Sequence, residues 1–487
     1  MLRVRFINTR NQLLMSLTSL DYDTREKFKE FVRKEALDIP DYEVVDVEEP
    51  KLYKEIFPFR SAPRIAFDGI AVMPNIPDQL WISDTTFRDG QQSREPYTVD
   101  QIRDIYKLLH DLGGENGKIE YTELFPYTDK DKEAINKCKE LNYKHPRITG
   151  WIRASRNDLE HIKELKLEET GILTSISDYH IFYKFPGKSR SEMVEHYLEV
   201  AEEALKSGIA IRLHVEDVTR ADIYATLVPL VKKAMKLADK YGLPVKIRCP
   251  DTLGVGLPWP ETALPRSIPK LFWLLNKGLG VPSEWLEFHG QNDFHLGVSN
   301  ATAAWLYGAS LNNCTLFGIG ERAGNIPLEA MIFIYSMIKG SFDGMNTRVL
   351  KQIVRYYEKE LNYELPSYYP LVGSNFNVTR AGIHADGLLK NIEMYLPFDT
   401  EELLDNPPKV VISEHSGVAG LTFWINSMFR LREDEKISKD HPALRAIQDE
   451  IVKIYHNGRS SPLKDEEILA LIKKHMPDFW EKYSNRL

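Results

Sequence analysis

The chemistry-bearing residues of this chain come in short bursts. In WISDTTFRDGQQ, residues 81–92, an apolar run ends at Asp84 and then delivers Thr85, Arg88, Asp89 and Gln92. A strand that empties charged and hydroxyl groups into a loop marks the rim of an active site. Asp89 offers a carboxylate for a metal ion, and Arg88 a cation for a developing oxyanion. In FHGQNDFH, residues 288–295, His289 and Gln291 stand two apart. On an extended strand end that spacing points both side chains to one face. An imidazole, a carboxamide oxygen and the Asp89 carboxylate make a mixed N/O set suited to a divalent ion such as Mg²⁺, Mn²⁺ or Zn²⁺. Read blandly, the two segments are a charged, glycine-terminated loop and a polar strand end capped by hydrogen bonds. His295, a few residues on, fits a structural role better than a ligand's.

GIGERAGN, residues 318–325, has the glycines of a phosphate loop but lacks the Lys-Ser/Thr that would complete one. Its Glu321 and Asn325 can reach an ion, its water or the groups that orient its ligands. Arg322 suits a buried salt bridge as well as a substrate clamp. In RLHVEDVTRAD, residues 212–222, Arg212 and Glu216 lie four apart, with Arg220 beyond. A guanidinium fork matches a carboxylate, so Arg212 is a candidate to hold substrate, and Glu216 to orient it or exchange protons. Asp251-Thr252 adds a hydroxyl donor to a carboxylate, unless Thr252 caps a helix.

These residues need elements that bring them together. From Trp81 to about residue 340, short β-rich runs alternate with amphipathic segments. Strands are expected at 80–83, 118–122, 147–152, 170–175, 210–215, 245–249, 285–289 and 314–318. Helical segments are expected between them at 99–112, 130–141, 157–164, 190–207, 223–241 and 298–307. Eight buried strands, each followed by a helix, predict an α/β fold built on a closed (β/α)₈ TIM barrel. An open doubly wound sheet is the competitor, but Arg88-Asp89-Gly90 does not space as its glycine fingerprint. In a barrel, polar groups at strand carboxyl ends converge on one face. Those ends carry Arg88/Asp89, Glu123, Arg153, Thr174/Ser175, His214/Glu216, Asp251/Thr252, His289/Gln291 and Glu321/Asn325. The expected domains are an N-terminal extension, 1–78, with a charged helix at 24–34; the barrel, 79–345; a linking subdomain, 346–404; and a helical or α+β subdomain, 405–487.

Composition narrows the classes. The net charge of −8, from 63 basic and 71 acidic residues, gives no electrostatic case for nucleic acid. Cys138, Cys249 and Cys314 form no CxxC pair, which suits a reducing cytoplasm and argues against a disulfide framework or a thiolate metal site. No apolar run reaches membrane-spanning length, and the start lacks the apolar core of a signal peptide, so neither a membrane nor secretion is expected.

Taken together, DTTFRDGQQ, HGQND, GIGERAGN and TRAGIHADG (residues 379–387) resemble the pyruvate-carboxyltransferase-like, metal-dependent TIM-barrel superfamily. That family holds 2-isopropylmalate, homocitrate and citramalate synthases, Re-type citrate synthase and the HMG-CoA lyases. The resemblance implies an acyltransferase that joins acetyl-CoA to a 2-oxo acid at a Mn²⁺ or Mg²⁺ site, with Zn²⁺ or Co²⁺ as alternatives. It implies ion ligands at Asp89, His289, Gln291 and Asn325, and catalytic roles for Arg88, Glu216 and Glu321, with Thr252 serving the substrate. It also implies a homodimer in which His384 reaches the partner's barrel mouth. One departure stands out: the family's second metal histidine is Gln291 here, a harder donor that favours Mg²⁺ or Mn²⁺ and that a weakened or non-catalytic homologue would also carry. The loop 318–325 lacks the reactive cysteine of the lyase branch, and Cys314 is expected at the start of its strand, away from the mouth. ITGWIRAS, LTSISDYHIF and RADIYA resemble the Re-citrate synthase group. Oxaloacetate is therefore the expected partner of acetyl-CoA, with Arg153, Arg212 or Arg220 for its second carboxylate; 2-oxoglutarate, 2-oxoisovalerate and pyruvate are the alternatives.

Overall fold

Eight parallel strands close into a barrel. A computed structural model describes residues 42–487, with Lys27 and the backbone of 4–7 and 13–17. The expected helix at 24–34 lies outside the described residues, apart from Lys27. After an antiparallel pair, β1 (Val4–Ile7) and β2 (Leu13–Leu17), the barrel strands follow in chain order. They are β3 (Trp81–Asp84), β4 (Ile119–Leu124), β5 (Arg147–Arg153), β6 (Glu169–Ser175), β7 (Ala210–Glu216), β8 (Val245–Asp251), β9 (Leu286–Gly290) and β10 (Leu311–Cys314). Each pairs with its chain neighbours, and β10 returns to β3 with Cys314 opposite Asp84. Crossover helices cover the outside, as parallel strands require. They start at capping boxes the sequence encodes: Thr98 with Gln101, Thr128 with Asp131 and Ser189 with Glu192.

Two expected elements differ. The last strand, expected at 314–318, is Leu311–Cys314, and Leu316–Gly318 is a tight turn in which Phe317 and Gly318 have φ of 58° and 64°. LNNC reads as loop because of its asparagines, yet both are buried and bonded: Asn312 Nδ2 donates to Ala301 O at 2.9 Å and Asn313 Nδ2 to Ser83 Oγ at 2.8 Å. Cys314 thus ends its strand instead of starting it, and is fully buried. The helix expected at 223–241 opens with a wide turn, Ile223–Leu227, before the regular Val228–Tyr241. Pro229, which has no N–H, sits where the register changes.

Inside the barrel, alternate side chains form an ionic layer rather than an apolar one. Arg212 lies between Glu169 and Glu287, its Nε 2.9 Å from Glu287 Oε2. Arg248 bridges Glu287 at 2.8 Å and Glu123 at 2.7 Å. Part of the N-terminal extension docks on this same unit: Tyr53, Ile56 and Phe57 pack with Val255, and Lys51 N donates to Asp178 at 2.7 Å.

The chain divides into two compact units, Met1–Asn346 and Thr347–Leu487. The second is mainly helical, with Val378–Thr379 pairing in parallel with Lys409–Val410. Ala385, Leu388, Val410, Leu421, Leu444 and Ile468 share its core. That core and that pairing span residue 404, the expected boundary between two subdomains. Among the described residues no helix is long and apolar enough to cross a membrane.

Candidate active site

The carboxyl ends of β3, β9 and the loop after β10 bring four expected residues into contact. Asp89 Oδ2 accepts from Asn325 Nδ2 at 2.5 Å and from Gln291 Nε2 at 3.3 Å, and His289 Nε2 lies 3.4 Å away. All four are buried. Burial works against the charge on Asp89, but Arg88, His289 and Asn325 outweigh it and hold its carboxyl well below the usual range.

The donor set fits a hard divalent cation. Among the described residues, the buried oxygens Gln291 Oε1 and Asn325 Oδ1 have no hydrogen-bond donor. His289 Nδ1 meets Asn313 Oδ1 at 2.7 Å, and Asn313 spends its amide N–H on Ser83. Asn313 Oδ1 therefore accepts from His289 Nδ1–H, which leaves Nε2 as the ring nitrogen that faces Asp89. Buried oxygens without a donor, next to a carboxylate and an imidazole, suit a cation once the two amides turn their oxygens inward. Among the described residues no three His, Cys, Asp or Glu side chains cluster as a metal site; this quartet has only two of those types. Gly320 makes room for it, since a Cβ there would lie 1.9 Å from Asn325 Oδ1. That glycine serves close packing, not a phosphate.

Arg88 lies beside the quartet, donating from Nη1 to Asp89 at 2.8 Å and from Nε to Glu123 at 2.7 Å, with its guanidinium over Trp151. Across β6 and β7, Glu216 Oε2 takes hydrogen bonds from Ser175, His180 (2.9 Å) and Lys184 (3.1 Å). Burial raises the Glu216 pKa, but His180, Ser175 and Lys184 more than offset it and bring it down to about 2. Thr252 caps no helix; its Oγ1 accepts from Asp217 N at 2.9 Å, leaving its own O–H to donate.

Other expected site residues lie elsewhere or have partners. Arg212 is fully buried between Glu169 and Glu287, so its fork is taken and does not reach the mouth. Arg153 is committed to Asp158 through Nε at 2.8 Å and Nη2 at 3.0 Å. Arg220 chelates Asp217 and lies over Tyr179. Glu321 is exposed and apart from the quartet's hydrogen bonds. Arg322 pairs with Asp293 at 2.9 Å. His384 belongs to the second unit, where it is exposed on Gly382–Lys390 with its ring 4.5 Å from that of Tyr395. Sequence reasoning missed Asn313, His180 and Lys184; the first was hidden in a strand that reads as loop, the others in a helix of seven residues. A cavity of about 620 Å³ lies at the opposite end, lined by residues near the starts of strands such as Trp81, Glu169 and Lys246. The Asp89 quartet is at the carboxyl end, where barrel loops build active sites.

Comparison with known proteins bears on this arrangement. The HMGL-like family profile matches residues 79–355. Citrate (Re)-synthase of Clostridium kluyveri is 45% identical over 92% of the chain and 98% of its own length. Citrate (Re)-synthase of Syntrophus aciditrophicus is 46% identical over 90% of the chain and 70% of its own length. 2-Phosphinomethylmalate synthase of Streptomyces hygroscopicus is 36% identical over 88% of the chain and 98% of its own length.

Proposed function

The chain belongs to the HMGL-like family, and from that premise we propose that it condenses acetyl-CoA with oxaloacetate to citrate and free coenzyme A. The observation that carries the reading is the Asp89 quartet at the barrel mouth, with lone pairs left over for an ion, in a chain aligned almost end to end with a citrate (Re)-synthase.

A divalent ion held by Asp89, His289, Gln291 and Asn325 would bind the 2-oxo acid and polarise its carbonyl, with Mg²⁺ or Mn²⁺ favoured by the oxygen-rich set. Glu216 is the acceptor for the methyl proton of acetyl-CoA. The enolate carbon adds to the carbonyl carbon, and Arg88, whose Nε and Nη1 are taken by Glu123 and Asp89, turns its remaining N–H groups to the developing alkoxide. Hydrolysis of the thioester releases coenzyme A. Because Arg212 is enclosed and Arg153 and Arg220 carry internal carboxylates, the second carboxylate of oxaloacetate falls to Lys184, whose side chain is 41% exposed and has a donor to spare. His384 completes the site of a second copy, as the family pattern implies, and Thr252 donates its hydroxyl to substrate. The reaction belongs in the cytoplasm, where the three free cysteines stay reduced.

The test is release of coenzyme A from acetyl-CoA by the full chain with Mn²⁺ or Mg²⁺, using oxaloacetate, 2-oxoglutarate, 2-oxoisovalerate and pyruvate. Oxaloacetate is expected to be fastest. Faster turnover of 2-oxoisovalerate overturns the citrate assignment; no turnover with metal bound overturns the condensation. Mixing His384→Ala with Asp89→Ala chains checks the shared site, because mixed dimers should regain activity through one intact mouth.

A further inference from the structure

One histidine, within LTSISDYHIF but given no role by the sequence, stands against the proposed base. His180 lies on Asp178–Lys184, just after β6. Its Nδ1 is 2.9 Å from Glu216 Oε2, and its Nε2 is 3.8 Å from Asp217 Oδ2. Among the described residues, every hydrogen bond to the Glu216 carboxylate ends on Oε2, from His180, Ser175 and Lys184. Oε1 is left free on a side chain that is 20% exposed. Donors converging on one oxygen fix the plane of a carboxylate as well as its position, and the other oxygen is then aimed.

On the far side of the imidazole, Asp217 is held in place by its own partners. Asp217 is fully buried in a left-handed backbone conformation, φ 65°, held by Ser177 Oγ at 2.5 Å and by Arg220 Nη2 at 2.8 Å. Ser175 and Lys184 also bond each other at 3.3 Å, so they hold Glu216 as a unit from one side. His180 is the donor independent of that pair.

We propose that His180 is a positioning residue for Glu216: its Nδ1–H holds Oε2 so that Oε1 faces the proton to be removed, and it does so within one chain. The inference rests on the condensing reading above. It places a histidine–glutamate pair inside each protomer, in addition to anything His384 brings from a second copy.

In the full-length enzyme His180→Ala should lower kcat roughly 10- to 100-fold, the scale of a misaligned catalytic group, with the oxaloacetate KM changed less than about twofold. The acid limb of its kcat profile should move to higher pH, because Glu216 loses a donor that depresses its pKa. The groups facing the pair are Ser175, Lys184, Asp217, Arg88 and Tyr197, and none of them is altered. His180→Asn, whose amide N–H can take the place of Nδ1–H, should recover most of the loss and return the profile. Unchanged kcat in His180→Ala, or no recovery in His180→Asn, overturns the proposal. Nitrogen-15 histidine NMR detects the contact without turnover: Glu216→Gln must shift the His180 Nδ1 resonance, and an unmoved resonance overturns the contact whatever the substrate. A shifted resonance in a protein that turns over no 2-oxo acid would end the condensing reading and leave the contact standing.

Discussion

Two layers of one barrel treat buried charge in opposite ways. In the interior, Glu169, Arg212, Glu287, Arg248 and Glu123 alternate in sign, and each carboxylate lies between cations. Burial raises the Glu287 pKa, yet Arg212 and Arg248 bring it down to about 2. At the mouth, Gln291 and Asn325 spend amide N–H groups on Asp89, and among the described residues their carbonyl oxygens are left without a donor. The first arrangement is balanced in charge and holds the strands, with Arg212 meeting Glu169 and Glu287 as ion pairs rather than through hydrogen bonds. The second is complete only with something added. A buried charge is thus weak evidence of function, and an unanswered lone pair is stronger.

Changing the mouth should abolish binding and chemistry without unfolding the barrel. Asp89→Asn removes the anion on which four side chains converge, and should weaken Mn²⁺ binding more than ~100-fold and lower kcat on the order of 10³-fold. Calorimetric titration and an unchanged melting temperature would together place the defect in the site. Changing the interior should do the reverse. Glu169→Gln leaves Arg212 and Lys246 without their shared carboxylate, and breaking such a buried pair costs about 3–5 kcal/mol. A lowered denaturant midpoint with Mn²⁺ affinity intact sharpens the contrast; loss of metal binding at full stability would break it. Asn313→Ala tests the boundary between the layers. It removes the group that orients His289 and should weaken metal binding by roughly 10- to 100-fold with a smaller effect on stability.

The same contrast explains what the sequence makes legible. The period of strands and helices places the barrel, and the order of Asp89, His289 and Asn325 along it places the mouth, because both depend on backbone direction alone. Arg212 defeats that reasoning because strand position gives the face of a side chain but not its depth: it lies in the ionic layer, with Glu169 at the first residue of β6. Arg153 and Arg220 are legible as cations, but the partners that occupy them, Asp158 and Asp217, depend on how loops fold back. His180 has no periodicity to announce it. Asn313 reads as loop because burial, which makes its amide bonds obligatory, is a tertiary fact.

The smallest expected effect falls on the residue that most departs from its family. In the structure Gln291 offers Nε2 to Asp89 at 3.3 Å while Oε1 has no donor. A half-turn of the amide exchanges the two, and a cation beside Asp89 would favour the oxygen inward. If Oε1 is a ligand, Gln291→His replaces a hard carbonyl donor by a better σ-donor at the same strand end. Mn²⁺ and Zn²⁺ should then bind about 10-fold tighter, with less gain for Mg²⁺. Gln291→Ala should bind all three ions more weakly than wild type, since Asp89 would lose a neighbour and water would have to fill the position. The order His, Gln, Ala in Mn²⁺ affinity, read by titration of the metal-free protein, assigns Gln291 to the ion. Equal affinity in all three forms leaves Asp89, His289 and Asn325 as the protein's share of the coordination, and makes the free Oε1 a packing accident.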